Sequence, residues 1–283
     1  MTAQILNIPP EEYHARKALS NTGISKLLDC PAKFKAWLDG GQDEQTEAML
    51  IGSAFHCLAL EPGRFRVSYH VMVNSGTTKA ANDERAQARQ EGKTILNKDQ
   101  SALVTSLAAG LMKHKVIAKR LNSHTAQKEL SIFWTEEVDG FSIPCKARLD
   151  LFDYIDRFGT VGIDLKSMQN AAPASLSKTI NDRGYHRQAW WYLRALNQAG
   201  HFPAGFFLAT VEKSAPYLAS FIRIKDEAIE KGGRECAQAL TLFSECAKAN
   251  HWPGYSQEII EVDLPDWIYR KEMNNETHGQ FAE

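Results

Sequence analysis

The residues with the clearest chemical potential are Asp150, Asp164 and Lys166. In Ile163-Asp164-Leu165-Lys166 an extended chain turns Asp164 and Lys166 to one sheet face and Ile163 and Leu165 to the other. Upstream, the apolar row Ile143, Cys145, Ala147, Leu149 and Leu151 alternates with Lys146, Arg148 and Asp150. Two antiparallel neighbours of this kind bring Asp150 beside Asp164 and Lys166. Adjacent carboxylates repel unless a proton or a cation compensates them. Oxygen ligands suit a hard cation such as Mg²⁺ or Mn²⁺, so the pattern points to metal-assisted hydrolysis. Taken alone, D-x-K is more often a pair of solvated strand residues.

Two helical stretches add to this centre. Gly52 and His56 stand four apart on one helix face, where a glycine permits close approach. A lone histidine there is more often a hydrogen-bonded core residue than a metal ligand. Tyr185, Gln188 and Tyr192 share a face at i, i+3 and i+7. Trp190, Trp191 and Leu193 beside them read as core.

These residues need strands and helices to hold them. Residues 130–138 favour a strand, Asp139-Gly140 marks a hairpin turn, and residues 141–154 return. Further strands are expected over 160–167, 205–211 and 217–224. Helices are expected over 183–199, ended by Gly200, and over 226–250. The N-terminal part is helical. Ser20 and Asn21 offer caps ahead of Ile24, Leu27 and Leu28, Pro31 opens the next helix, and a third runs over 47–60 until Pro62-Gly63 stops it. Residues 74–100 form either a mobile loop or an exposed helix. Residues 102–128 carry Lys113, Lys115, Lys119, Arg120 and Lys128 without one acid, on a helical pattern. That segment supplies phosphate contacts or is a solvated helix face. Lys79, Arg85, Arg89 and Lys93 form a second, acid-diluted positive stretch.

The bulk composition fits a globular chain. Of 283 residues, 43% are hydrophobic and 24% charged, enough for a substantial core without disulfides. The formal net charge of -1 means that any nucleic-acid contact must be local. Five scattered cysteines without a C-x-x-C pair argue against a disulfide framework. The start lacks a signal-peptide pattern, and no stretch approaches about 18 uninterrupted apolar residues. The chain reads as cytoplasmic.

G-x-x-x-H, then an R-x-D strand, then D-x-K, then helical Y-x-x-Q-x-x-x-Y resembles the RecB-like branch of the PD-(D/E)XK nucleases. The likeness is closer to the nuclease domain of RecE (exonuclease VIII) and its phage and prophage relatives. It is carried by YHARKALSNTGISKLLDCPAKFKAWL, IGSAFHCLALEP, KELSIFW, CKARLDLFD, GIDLKSMQNA and GYHRQAWWY, spread from Tyr13 to Trp267. The fold implied is α/β: a PD-(D/E)XK (restriction-endonuclease-like) core with a mixed central sheet flanked by helices. It forms a single domain over 1–283, mainly helical over 10–128 and catalytic over 129–270, with a loose tail over 271–283.

The resemblance also implies roles. His56, Asp150 and Asp164 would hold one or two Mg²⁺ or Mn²⁺ ions, with the Leu165 carbonyl and Glu129, whose facing the strand pattern does not fix, beside them. Lys166 would orient or deprotonate the attacking water. Gln188 joins the catalytic set, and Tyr185 and Tyr192 position the DNA, with Lys113, Lys115, Lys119 and Arg120 as further DNA contacts. Relatives digest double-stranded DNA ends 5′→3′, assemble as homo-oligomeric rings and work with a single-strand annealing protein in recombination. A single-strand or flap nuclease is the alternative, and a catalytically silent DNA-binding assembly module is the remaining class. Some RecB-like relatives hold an iron–sulfur cluster. Cys30 matches the early ligand, but only Cys236 and Cys246 follow late, so no cluster is expected.

Overall fold

The computed structural model describes residues 3–41, 45–265 and 269. The elements run β1 (Gln4–Leu6), α1 (Pro10–Ala15), α2 (Asn21–Asp29), α3 (Pro31–Leu38), α4 (Glu47–Leu60), α5 (Pro62–Ser68), β2 (Tyr69–Val71), α6 (Lys79–Gln90) and β3 (Thr94–Leu96). Then follow α7 (Lys98–Lys113), α8 (Lys115–Leu121), β4 (Gln127–Val138), β5 (Phe141–Ile155), β6 (Gly159–Met168), α9 (Pro173–Asp182), α10 (Tyr185–Gln198), β7 (Phe206–Glu212), β8 (Ala219–Arg223) and α11 (Asp226–Ala249).

The main sheet has the order β1-β4-β5-β6-β7-β8. Only β6 and β7 pair in parallel, because α9 and α10 carry the chain across between them; the remaining neighbours are antiparallel. The mixed sheet flanked by helices is the expected architecture. On one face Ile24, Phe34, Trp191, Leu196 and Leu240 close over Ile132, Cys145 and Leu149. On the other, Phe55, Leu107, Leu111 and Ile117 cover Leu151, Ile163, Leu165, Ala209 and Val211. Each such buried Leu, Ile or Phe contributes about 1.5–3 kcal/mol, which fixes the strands that carry the site.

Several local expectations change. The basic stretch over 102–128 is two helices and the start of a strand. His114 takes an extended conformation (φ -85, ψ 109) between α7 and α8, and Gln127 and Lys128 already pair with Phe152 and Leu151. Helix α4 ends at Leu60 as expected, and Pro62 then opens a further short helix, α5, since a proline at the first helical position loses no hydrogen bond. Residues 79–90 form an exposed helix, one of the two alternatives for that stretch. The tail over 271–283 lies outside the described residues.

Candidate active site

The site is a fork in the sheet. The β5–β6 ladder runs from Ile155↔Gly159 to Leu151↔Ile163 and ends there. Beyond that pair β5 stays joined to β4, and β6 to β7. Asp150 and Asp164 are the next residues on the two diverging strands, so both carboxylates stand at the crotch of the fork; β5 switches facing here, with Leu149 in one core and Leu151 in the other, against the single apolar row expected. Across β4, the pairs Lys128↔Leu151 and Leu130↔Leu149 bracket Asp150, but its opposite number, Glu129, drops out of the ladder. Glu129 has φ +53, a left-handed conformation that costs about 1–2 kcal/mol in a non-glycine residue. Such backbone strain concentrates where a side chain must be aimed against the regular pattern.

Helix α4 delivers His56 into this gap, with Nδ1 3.3 Å from Asp150 Oδ2. The ligand atoms of His56, Glu129 and Asp150 lie within 4.8 Å of one another. Asp150 Oδ2 also accepts the Leu165 amide at 2.6 Å. What the structure records for Leu165 is therefore its N–H on Asp150, while its side chain is buried in the opposite core.

Asp164 stands next to that trio with different partners. Gln188 Nε2 donates to Asp164 Oδ1 at 2.8 Å and to the Tyr192 hydroxyl at 3.0 Å. Lys166 Nζ is 2.6 Å from Asp164 Oδ2 and 5.2 Å from the Tyr185 ring centre. Among the described residues, Lys166 is thus the one polar side chain against the buried Oδ2. Helix α10, which carries Tyr185, Gln188 and Tyr192, is braced from behind. Glu235 of α11 accepts from Arg187 at 2.8 Å and lies 3.0 Å from His186 Nε2. A Cβ at Gly232 would stand 2.3 Å from the His186 carbonyl oxygen, so α10 and α11 can approach this closely only over glycine.

The charges at the fork are mutually tuned. Burial pushes Asp164 up from 3.8 to about 6, with Asp150 adding to the rise and Lys166 opposing it. Burial also works against the Asp150 anion, but His56, Lys166 and the Leu165 amide outweigh it and hold its pKa below the usual value. His56 is raised: burial disfavours its cation, and the Asp150 carboxylate more than offsets that. Lys166 is likewise raised by Asp164 and Asp150 against the effect of burial. Glu129 is pushed up by burial and by Asp150. Three carboxylates thus crowd one imidazole and one ammonium. One nitrogen and two carboxylate donors within 4.8 Å of one another, beside a further buried carboxylate whose pKa is raised by burial and by Asp150, fit a hard divalent cation.

The expected DNA contacts separate into two groups. Lys113, Lys115 and Lys119 are exposed on α7 and α8. Arg120 corrects the expectation, because it is buried at 8% exposure and its guanidinium donates to Asp153 at 2.9 Å and to the Tyr154 carbonyl. That cation is consumed inside the protein. Lys128 is also occupied, by the Leu60 carbonyl at 3.1 Å. Sequence reasoning assigned no role to Arg148, whose Nε donates to Glu129. The signal was its place two residues before Asp150 on the same strand face.

Comparison with known proteins places this fold. No curated protein matches the sequence. A crystal structure from Eubacterium rectale, of a protein provisionally named an exonuclease, superposes with a TM-score of 0.63 at 16% identity. That superposition covers 92% of this chain and 97% of the other, and shows a shared fold. The solved structure of SSO0001 aligns over 77% of this chain and 84% of its own, at a TM-score of 0.31 and 13% identity, which is too low to carry an argument. Residues 20–263 match the PDDEXK-like domain of unknown function (DUF3799), a span that includes the fork, α4 and α10. The chain belongs to this PDDEXK-like family.

Proposed function

We propose that this protein is a divalent-metal-dependent deoxyribonuclease acting at double-stranded DNA ends, as a RecE-like exonuclease of 5′→3′ polarity. The observation that supports it most is the convergence of His56, Glu129 and Asp150 at the fork, with the Asp164–Lys166 pair alongside. The provisional name of the Eubacterium rectale protein points the same way.

In this reading His56, Glu129, Asp150 and Asp164 hold the cation, which when bound activates water and stabilises charge on the phosphate oxygens. Lys166, kept as an ammonium by Asp164 and Asp150, orients the water and steadies charge developing on the phosphate. Gln188 fixes the free rotation of the Asp164 carboxylate, and the Tyr192 hydroxyl fixes Gln188 in turn. Tyr185 and Tyr192 line the approach of the strand. Lys113, Lys115 and Lys119 contact phosphates away from the centre without reading sequence. Recombination with a single-strand annealing partner and assembly as a ring follow from the RecE likeness.

The test is incubation of linear duplex with Mg²⁺ or Mn²⁺, with and without chelator, using strands labelled at either end. Cation-dependent release of nucleotides from the 5′ end is expected. No cleavage of any duplex or single strand in Mg²⁺ or Mn²⁺ would remove the nuclease reading, and release from single strands alone would leave a flap-type enzyme.

A further inference from the structure

A cleft of about 880 Å³ opens beside the fork, lined in part by Tyr13, Arg16, Lys17, Lys146, Arg148 and Gln188. Gln188 is the partner of Asp164, so the cleft and the acidic centre share a wall. The cleft's own character is cationic. Lys146 lies buried with no acidic partner among the described residues. Its ammonium donates to the carbonyls of Tyr13, His14 and Arg16, at 3.0, 3.4 and 2.6 Å, and so pins the chain that forms the rim. Lys17 makes no ion pair among the described residues, and Arg16 is paired only with the half-exposed Glu12. With neutral carbonyls as its hydrogen-bond partners, Lys146 brings a positive charge to the cleft wall without a countercharge among the described residues, while burial lowers its pKa.

Arg148 stands at the inner end, between the two regions. Its Nη1 donates to the Ile8 carbonyl at 2.9 Å and to Ser131 Oγ at 3.1 Å, which fixes the guanidinium plane. Its Nε donates to Glu129 Oε2, in a pair with side chains only 11% and 13% exposed. Nη2 has no hydrogen-bond partner among the described residues. Glu129 therefore faces two cations: the Arg148 guanidinium and whatever fills the space bounded by His56, Glu129 and Asp150. It cannot neutralise both fully.

We infer that Arg148 binds a phosphate of the nucleic-acid strand in this cleft, and that Glu129 withholds it until Glu129 is drawn to a divalent cation. The inference rests on the nuclease reading above and adds to it a residue and a coupling. Without cation, Glu129 occupies one edge of the guanidinium and cancels its charge next to an acidic centre that repels DNA. With cation, the Nε–Nη2 edge becomes available as a planar fork that matches two phosphate oxygens. Cation and strand then strengthen each other's binding reciprocally.

The test is equilibrium binding of end-labelled duplex by fluorescence anisotropy, in chelator and in Ca²⁺, with thermal melts of each variant. Wild type should bind at least about tenfold more tightly in Ca²⁺. Glu129→Gln should bind more tightly than wild type in chelator, because Arg148 is already released. Arg148→Gln and the milder Arg148→Lys should lose most of the Ca²⁺ gain, and Glu129→Gln should give no gain in the Arg148→Gln background. A Glu129→Gln gain that persists without Arg148 is simple removal of a negative charge, and overturns the inference. So does a folded Arg148→Lys protein with an undiminished Ca²⁺ gain. If wild type cleaves DNA but either of these results appears, the nuclease reading stands and this coupling fails. If wild type neither cleaves nor binds DNA, both fail. Duplexes ending in 5′-hydroxyl or 5′-phosphate locate the anion: an equal gain assigns a phosphodiester, and a gain confined to the phosphorylated end assigns the terminal group.

Discussion

Two buried ion pairs in this molecule have opposite characters. Arg120–Asp153 joins α8 to β5, with side-chain exposures of 9% and 0%. Lys166–Asp164 sits at the fork, with exposures of 19% and 2%. The first is saturated. Asp153 accepts from Arg120, from Ser123 Oγ at 3.2 Å and from Thr125 Oγ1 at 3.0 Å, while Arg120 also donates to the Tyr154 carbonyl. The second is strained electrostatically, because burial and the nearby Asp150 anion push Asp164 up against the pull of Lys166. A saturated pair welds two elements together. One crowded by a second carboxylate is poised to receive a cation, and the fold tolerates its electrostatic cost.

Substitutions should therefore separate the two pairs. Asp164→Ala or Lys166→Ala should reduce cleavage of linear duplex by about 10³-fold or more while the circular dichroism spectrum stays native. A variant with normal Mg²⁺-dependent activity would remove Asp164 or Lys166 from the centre. Arg120→Ala should behave in the converse way. Leaving Asp153 buried without its cation should cost about 3–5 kcal/mol in denaturant unfolding, with cleavage per folded molecule close to wild type. If Arg120→Ala instead weakens DNA binding and leaves stability unchanged, the contrast between the pairs is false.

The same contrast shows how far the sequence could be read. That β5 switches facing between Leu149 and Leu151, at Asp150, was not legible, but alternation along 163–166 was enough to put Asp164 and Lys166 on one face, because strand facing is a local property. Gln188 and Tyr192 were legible as a helical face for the same reason. Glu129 was not, since a left-handed residue inside a strand breaks the rule that predicts facing. Nor was the fork, which exists only because the β5–β6 ladder stops at Leu151↔Ile163. Arg120 and Lys119 look alike in a basic helix, and only Asp153, 33 positions further on, distinguishes them. Strands of three residues, such as β1, β2 and β3, carry too little pattern to be seen without their partners.

A smaller effect separates the pairs through pH. The folded pKa of Asp164, about 6, lies above its usual 3.8. The folded protein thus holds a proton there that the unfolded chain has released. Its contribution to stability is fully present below about 3.8 and is lost as pH rises through 6. In chelator, the melting temperature of wild type minus that of Asp164→Asn should fall by a few degrees over this window. Divalent cation should abolish the fall, because it replaces the proton as the compensating charge. A difference that stays flat across the window would mean that the fork is as well satisfied as the Arg120–Asp153 pair.

The smallest expected effect tests the exposed cations that flank Arg120. Lys115 is exposed at the start of α8, and Lys119, one turn on, has only a loose 3.6 Å pair with Asp156. If Lys115 meets a phosphate, Lys115→Gln should weaken DNA binding similarly for every sequence, and should lower the slope of log affinity against log salt by about 1. Arg120→Ala should leave that slope unchanged, because its charge is already cancelled inside the protein. The comparison needs only folded protein and a salt titration, and it reads each cation's exposure to the duplex directly. A Lys115→Gln slope equal to that of wild type would make α8 a solvated face, and would leave phosphate binding to the cleft beside the fork.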